Sequence, residues 1–153
     1  MSNLKECDHA PEISLDTDSG QHFELSSLHG TNVVLYFYPK ADTPGCTKEA
    51  CAFRDTSQKF TKANTVIVGV SPDASKAQAK FKDKFDLPFT LLADVDHKVA
   101  EAYGVWVEKS MYGKKYMGIE RSTFVIGPDG KINKIFPKVK VDGHAEEVLA
   151  AIA

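Results

Sequence analysis

The stretch VVLYFYPKADTPGCTKEAC, Val33 to Cys51, decides the fold. Its first six residues, Val33 to Tyr38, form a continuous apolar run. A strand buried on both faces reads this way, and such strands belong to sheets covered by helices on both sides. Pro39 ends the run. Thr43 then takes the N-cap position of a helix, with Pro44 at the first helical residue, where proline is favoured. Helical periodicity runs from Cys46 to about Phe60, with Cys46, Ala50, Phe53 and Phe60 on one stripe that faces the sheet.

The same alternation continues outward. Thr65 to Val70 and the shorter Thr90 to Ala93 are further apolar runs. Helical patterns cover Ser75 to Phe85, a short stretch near Val99, and the chain from His144. Upstream, two semi-alternating runs flank Asp18-Ser19-Gly20 and predict a β-hairpin. Ser122 to Ile126 and Ile132 to Phe136 flank Gly127-Pro128-Asp129-Gly130 and predict another. The expectation is an α/β fold with a mixed central sheet, flanking helices and an N-terminal hairpin extension.

The 153 residues fit a single domain, spanning 1–153, with enough chain to bury a substantial core. Charge is nearly balanced, at 19 basic and 21 acidic residues. No basic stripe points to nucleic acid, and Lys138 to Lys140 reads as solvated surface. No run approaches a membrane span, and the segment MSNLKECDHAPEI has no apolar signal core. The chain reads as soluble and cytoplasmic. In a reducing compartment, its three cysteines are redox-active or metal-binding sooner than structural cross-links.

Cys46 falls in the first helical turn, where unpaired N–H groups and the positive end of the helix dipole favour thiolate over thiol. Its alternative is a small buried hydrophobe. Cys51 lies five residues on. Along a helix that spacing puts the Cα atoms about 8.6 Å apart and turns the side chains about 140° away from each other. A disulfide needs roughly 4.4–6.8 Å. The two thiols therefore join only if the first turns unwind, and they do not converge on one metal ion. Oxidation of Cys46 to a sulfenic acid, local opening of the helix end, and condensation with Cys51 fits this spacing.

At these residues the chain resembles the peroxiredoxins. The Pro-x-x-x-Thr-x-x-Cys pattern stands here as Pro39 to Cys46, and the Cys-x-x-x-x-Cys spacing to Cys51 is similar to the bacterioferritin comigratory protein, or peroxiredoxin Q, branch. VVLYFYPK, VIVGVSPD and RSTFVIGPDG extend the resemblance over nearly the whole chain. It implies a thioredoxin-like fold and reduction of hydrogen peroxide and organic hydroperoxides. It implies Cys46 as the peroxidatic cysteine, Cys51 as the resolving one, Thr43 orienting the peroxide, Pro39 shielding the pocket and Arg121 as the distant arginine. Thioredoxin, or glutaredoxin, is the implied reductant. A monomer suffices, and no metal or other cofactor is needed.

Plainer readings stand beside these. Thr43 serves as a cap, Arg121 as a surface cation and Pro39 as a strand end. Glu49 reads as a solvated helix residue, with a place in an arginine network as the alternative. Cys7 reads as a spectator thiol, and Asp94, Asp96 and His97 as a turn after a strand. Trp106, Met111, Tyr112, Tyr116 and Met117 read as core packing, with a pocket rim or self-association surface as the alternative. The competing functions are a thioredoxin-like disulfide oxidoreductase or thiol redox sensor, a Cu(I) chaperone, and a structural protein with inert thiols. The absence of Cys-x-x-Cys counts against the first. Poor thiol spacing counts against the second.

Overall fold

The computed structural model describes residues 4–152. A seven-stranded mixed sheet forms the centre, in the order β2-β1-β5-β4-β3-β8-β9. The apolar run of the opening stretch is an interior strand of it, β3 (Asn32–Phe37). β3 pairs in parallel with β4 (Thr65–Ser71), which pairs in parallel with β5 (Thr90–Ala93). On its other side β3 runs antiparallel to β8 (Ser122–Ile126), followed by β9 (Ile132–Phe136). The expected N-terminal hairpin is β1 (Ser14–Thr17) with β2 (His22–Glu24), and β1 docks on β5.

Alternation along β3 builds two cores. Val33, Leu35 and Phe37 face one side, with Tyr103, Phe124 and α3 (Lys98–Ala102). Val34, Tyr36 and Tyr38 face the other. That second side is covered by α1 (Pro44–Lys62), α2 (Ser75–Phe85) and α4 (His144–Ile152). A strand sandwiched this way has no polar face to offer, which is why the run is continuously apolar. The α1 stripe predicted from spacing is the buried one: Cys46, Ala50, Phe53 and Phe60 are each at most 1 % exposed.

Asp94 and His97 have the structural role expected of a turn. The buried Asp94 carboxylate accepts the backbone N–H groups of Val99 and Ala100 at 3.2 and 2.8 Å, closing the start of α3. Cys7 is exposed and free.

The segment from Trp106 to Met117 departs from expectation. It forms a separate two-stranded hairpin, β6 (Trp106–Met111) with β7 (Lys114–Ile119), outside the main sheet. Met111, Tyr112, Tyr116 and Met117 are exposed rather than packed in the core. Trp106 alone of the five is half-buried, stacked on His97 with ring centroids 4.0 Å apart. Strand pairing satisfies the backbone of this segment without requiring its side chains to be buried.

Candidate active site

Strand register assembles the site. In the β3–β8 ladder Phe37 lies opposite Ser122, so Arg121 falls beside the end of β3, where the chain turns into α1. The Arg121 carbonyl is held by the Val139 N–H at 2.8 Å. Its side chain reaches the first turn of α1. One guanidinium nitrogen lies 3.3 Å from the Cys46 sulfur, and the other donates to Glu49 at 2.6 Å. Glu49 stands one turn after Cys46, so a single planar fork spans both. Gly45 leaves room for this approach: a Cβ there would sit 3.2 Å from the Arg121 nitrogen that faces Cys46.

Glu49 corrects the expectation of a solvated residue. It is 1 % exposed, and its second carboxylate oxygen is buried with no hydrogen-bond partner. Positions 46, 49, 50 and 53 are one helical face, and a stripe through Cys46 and Phe53 necessarily takes Glu49 inward. That arithmetic was the available signal. Burial pushes the Glu49 carboxyl up to about 7, against the opposing pull of Arg121. Burial also works against the Arg121 charge, but Glu49 and Cys46 outweigh it and hold its pKa above the ordinary value. The same cation faces the Cys46 sulfur directly.

Thr43 occupies the N-cap position with extended backbone, yet its side chain makes no capping bond. Its hydroxyl instead donates to the Lys40 carbonyl at 2.8 Å. The one hydroxyl hydrogen is thereby used, and the free lone pairs act as acceptors. Pro39 is exposed just after the buried Tyr38. Cys51 is half-buried within the unbroken α1, and Cys46 and Cys51 are both free thiols. The structure thus brings Cys46, Arg121 and Glu49 into contact and leaves Cys51 further down the same helix. Among the described residues, no group of three or more His, Cys, Asp or Glu side chains is gathered as for a metal ion. A cleft lined by Ser57, Thr61, Asn64 and Phe89 lies toward the C-terminal end of α1 and contains neither cysteine.

A buried cysteine at a helix start, faced by an arginine that immediately precedes a distant strand, is the arrangement of a thiol enzyme. Comparison with known proteins gives the class. The AhpC/TSA family model matches residues 7–135. A putative peroxiredoxin Bcp of Coxiella burnetii is 54% identical over 143 residues, covering 94% of this chain and 95% of that protein. Peroxiredoxin Bcp of Bacillus subtilis is 51% identical, covering 94% and 91%. The bacterioferritin comigratory protein of Xanthomonas campestris, studied for its alkyl peroxide reduction activity, superposes with a TM-score of 0.88 at 42% identity, covering 92% of this chain and 89% of that one. The chain belongs to the AhpC/TSA family, among its Bcp peroxiredoxins, and is a thiol-dependent peroxidase with the thioredoxin-like fold of that class.

Proposed function

We propose that Cys46 is the peroxidatic cysteine, Cys51 the resolving one, and that the whole chain works as one monomeric unit in the cytoplasm, with thioredoxin as its reductant. The observation that carries this is the Arg121 guanidinium, 3.3 Å from the Cys46 sulfur and anchored on buried Glu49. The Cys46 thiolate attacks the terminal oxygen of a hydroperoxide. The S–O bond forms as the O–O bond breaks, and the departing oxygen takes the electron pair and then a proton, leaving as water or an alcohol. Arg121 donates to the peroxide oxygens as charge moves onto the leaving one. Thr43, its hydrogen committed to Lys40, accepts from the hydroperoxide O–H and so aims the oxygen under attack. Pro39 shields the thiol from bulk solvent.

The Cys51 thiolate then attacks the sulfenic sulfur, a disulfide forms, and hydroxide leaves to take up a proton. Thioredoxin returns two electrons by thiol–disulfide exchange. Hydrogen peroxide and organic hydroperoxides are the substrates, in line with the alkyl peroxide reduction studied in the Xanthomonas campestris relative.

Peroxide consumption coupled to thioredoxin, thioredoxin reductase and NADPH tests the scheme. Cys46→Ser is expected to abolish turnover. Cys51→Ser is expected to undergo a single oxidation and accumulate a sulfenic acid, visible in the intact mass. Persistent turnover by Cys46→Ser would overturn the assignment.

A further inference from the structure

We propose that Asp73 is a positioning residue for Thr43, acting through the single peptide unit that joins Lys40 to Ala41. The inference rests on the reading of Cys46 and Thr43 above and adds a residue more than twenty positions from either.

The Lys40 carbonyl accepts the Thr43 hydroxyl at 2.8 Å. The Ala41 N–H, on the other side of the same peptide bond, donates to Asp73 Oδ2 at 2.7 Å. No cis peptide bond occurs among the described residues, and in a trans peptide the C=O and N–H point in opposite directions from one rigid plane. Fixing the N–H therefore fixes the carbonyl, and the carbonyl fixes the hydroxyl. Asp73 decides which way the Thr43 hydrogen points, and so which lone pairs face the peroxide.

Asp73 is itself held by a directional chain. Ser71 Oγ donates to Asp73 Oδ2 at 2.7 Å and accepts from Gln78 Nε2 at 2.8 Å. The second Gln78 amide hydrogen goes to the Leu92 carbonyl at 2.8 Å. Gln78 Oε1 accepts the Tyr38 hydroxyl. Ser71, Gln78 and Tyr38 are at most 1 % exposed. Each hydrogen of the chain has one acceptor, so the network has a single sense and no slack at its buried end. It starts on Tyr38, immediately before Pro39, and returns to Ala41, immediately after Lys40. The loop leading into α1 is clasped from both sides. The nearby Asp42–Lys84 pair is exposed and adds little.

The test separates aiming from folding. Two rates are measured on each variant: sulfenic acid formation at Cys46 with hydrogen peroxide, and alkylation of Cys46 by iodoacetamide followed by peptide mass. Alkylation needs the thiolate but not the Thr43 hydroxyl. Asp73→Ala is expected to slow the peroxide reaction about tenfold while alkylation stays within about twofold. Asp73→Asn keeps an acceptor at the same place and is expected to retain most of the peroxide rate. Thr43→Ala with Asp73→Ala is expected to be no slower than Thr43→Ala alone. If Asp73→Ala does not fold, Asp73→Glu, which displaces the acceptor by one methylene, carries the same comparison. A wild-type peroxide rate in the Asp73 variant, or a parallel loss of both rates, overturns the inference. So does a double variant in which the two losses multiply. Thr43→Ala at full rate would sink the reading of Thr43 and this inference together. A slow Thr43→Ala beside an unaffected Asp73→Ala would sink the inference alone.

Discussion

A carboxyl that is 1 % exposed, with one oxygen on a guanidinium and the other on nothing, is costly to ionise, and Glu49 is that carboxyl. Its pKa of about 7 in the folded protein lies above the ordinary 4.5. Between those values the folded chain holds a proton that the unfolded chain has released. The stabilisation from that proton is complete below the unfolded value and is lost as pH rises through about 7. Glu49→Gln is neutral at every pH and has no such slope. Urea midpoints compared from about pH 5 to about pH 8, in a Cys46→Ser background so that the thiol is not oxidised, are expected to fall for the Glu49 protein relative to the Gln variant. Parallel curves would mean that Glu49 ionises without cost. Sequence could not supply this behaviour. Helical spacing placed Glu49 on the Cys46 face, but a charged helix residue is ordinarily solvated, and its burial here depends on an arginine 72 residues away.

Helix α1 divides at Cys51. Before it, the helix sends Cys46, Glu49 and Ala50 inward, all small or polar. Beyond it come Phe53 and Phe60, with Phe53 stacked on Tyr36 at 4.8 Å and edge-on to His144. Burial of a phenylalanine stabilises by about 1.5–3 kcal/mol, and the first turns contain none. The segment that must unwind for Cys51 to meet Cys46 is the one with least to lose. The start of the helix and its anchoring stripe were legible because Thr43-Pro44 and the apolar spacing are local signals. Thr43 takes the N-cap position that the sequence predicts, but its hydroxyl makes no cap bond: its acceptor is the Lys40 carbonyl, on the peptide unit whose N–H donates to Asp73, two residues beyond β4, a long-range contact with no local signal. After one equivalent of peroxide, hydrogen-exchange mass spectrometry is expected to show protection lost over Thr47–Cys51 and retained from Phe53 to Lys62. Loss along the whole helix, or none, would contradict a boundary at Cys51.

At the scale of the molecule, alternating apolar runs and helical patterns announced the mixed sheet because every central strand is covered on both faces. The exception is instructive. Met111, Tyr112, Tyr116 and Met117 carry the composition of a core and lie outside it, since β6–β7 pairs only with itself. Composition reports what a residue would gain by burial, and topology decides whether anything is there to bury it. The turn of this hairpin is Tyr112-Gly113, both with positive φ, 52° and 78°, as in the two-residue turns that favour Asn-Gly. Tyr112 is 98 % exposed, so its ring contributes no buried area, while its left-handed backbone is strained for a bulky side chain. Tyr112→Asn removes the strain and loses no packing. Urea denaturation is expected to show the variant more stable by a few tenths of a kcal/mol, on the order of 0.5. A loss of about 1 kcal/mol or more would mean that the Tyr112 ring has a packing partner after all.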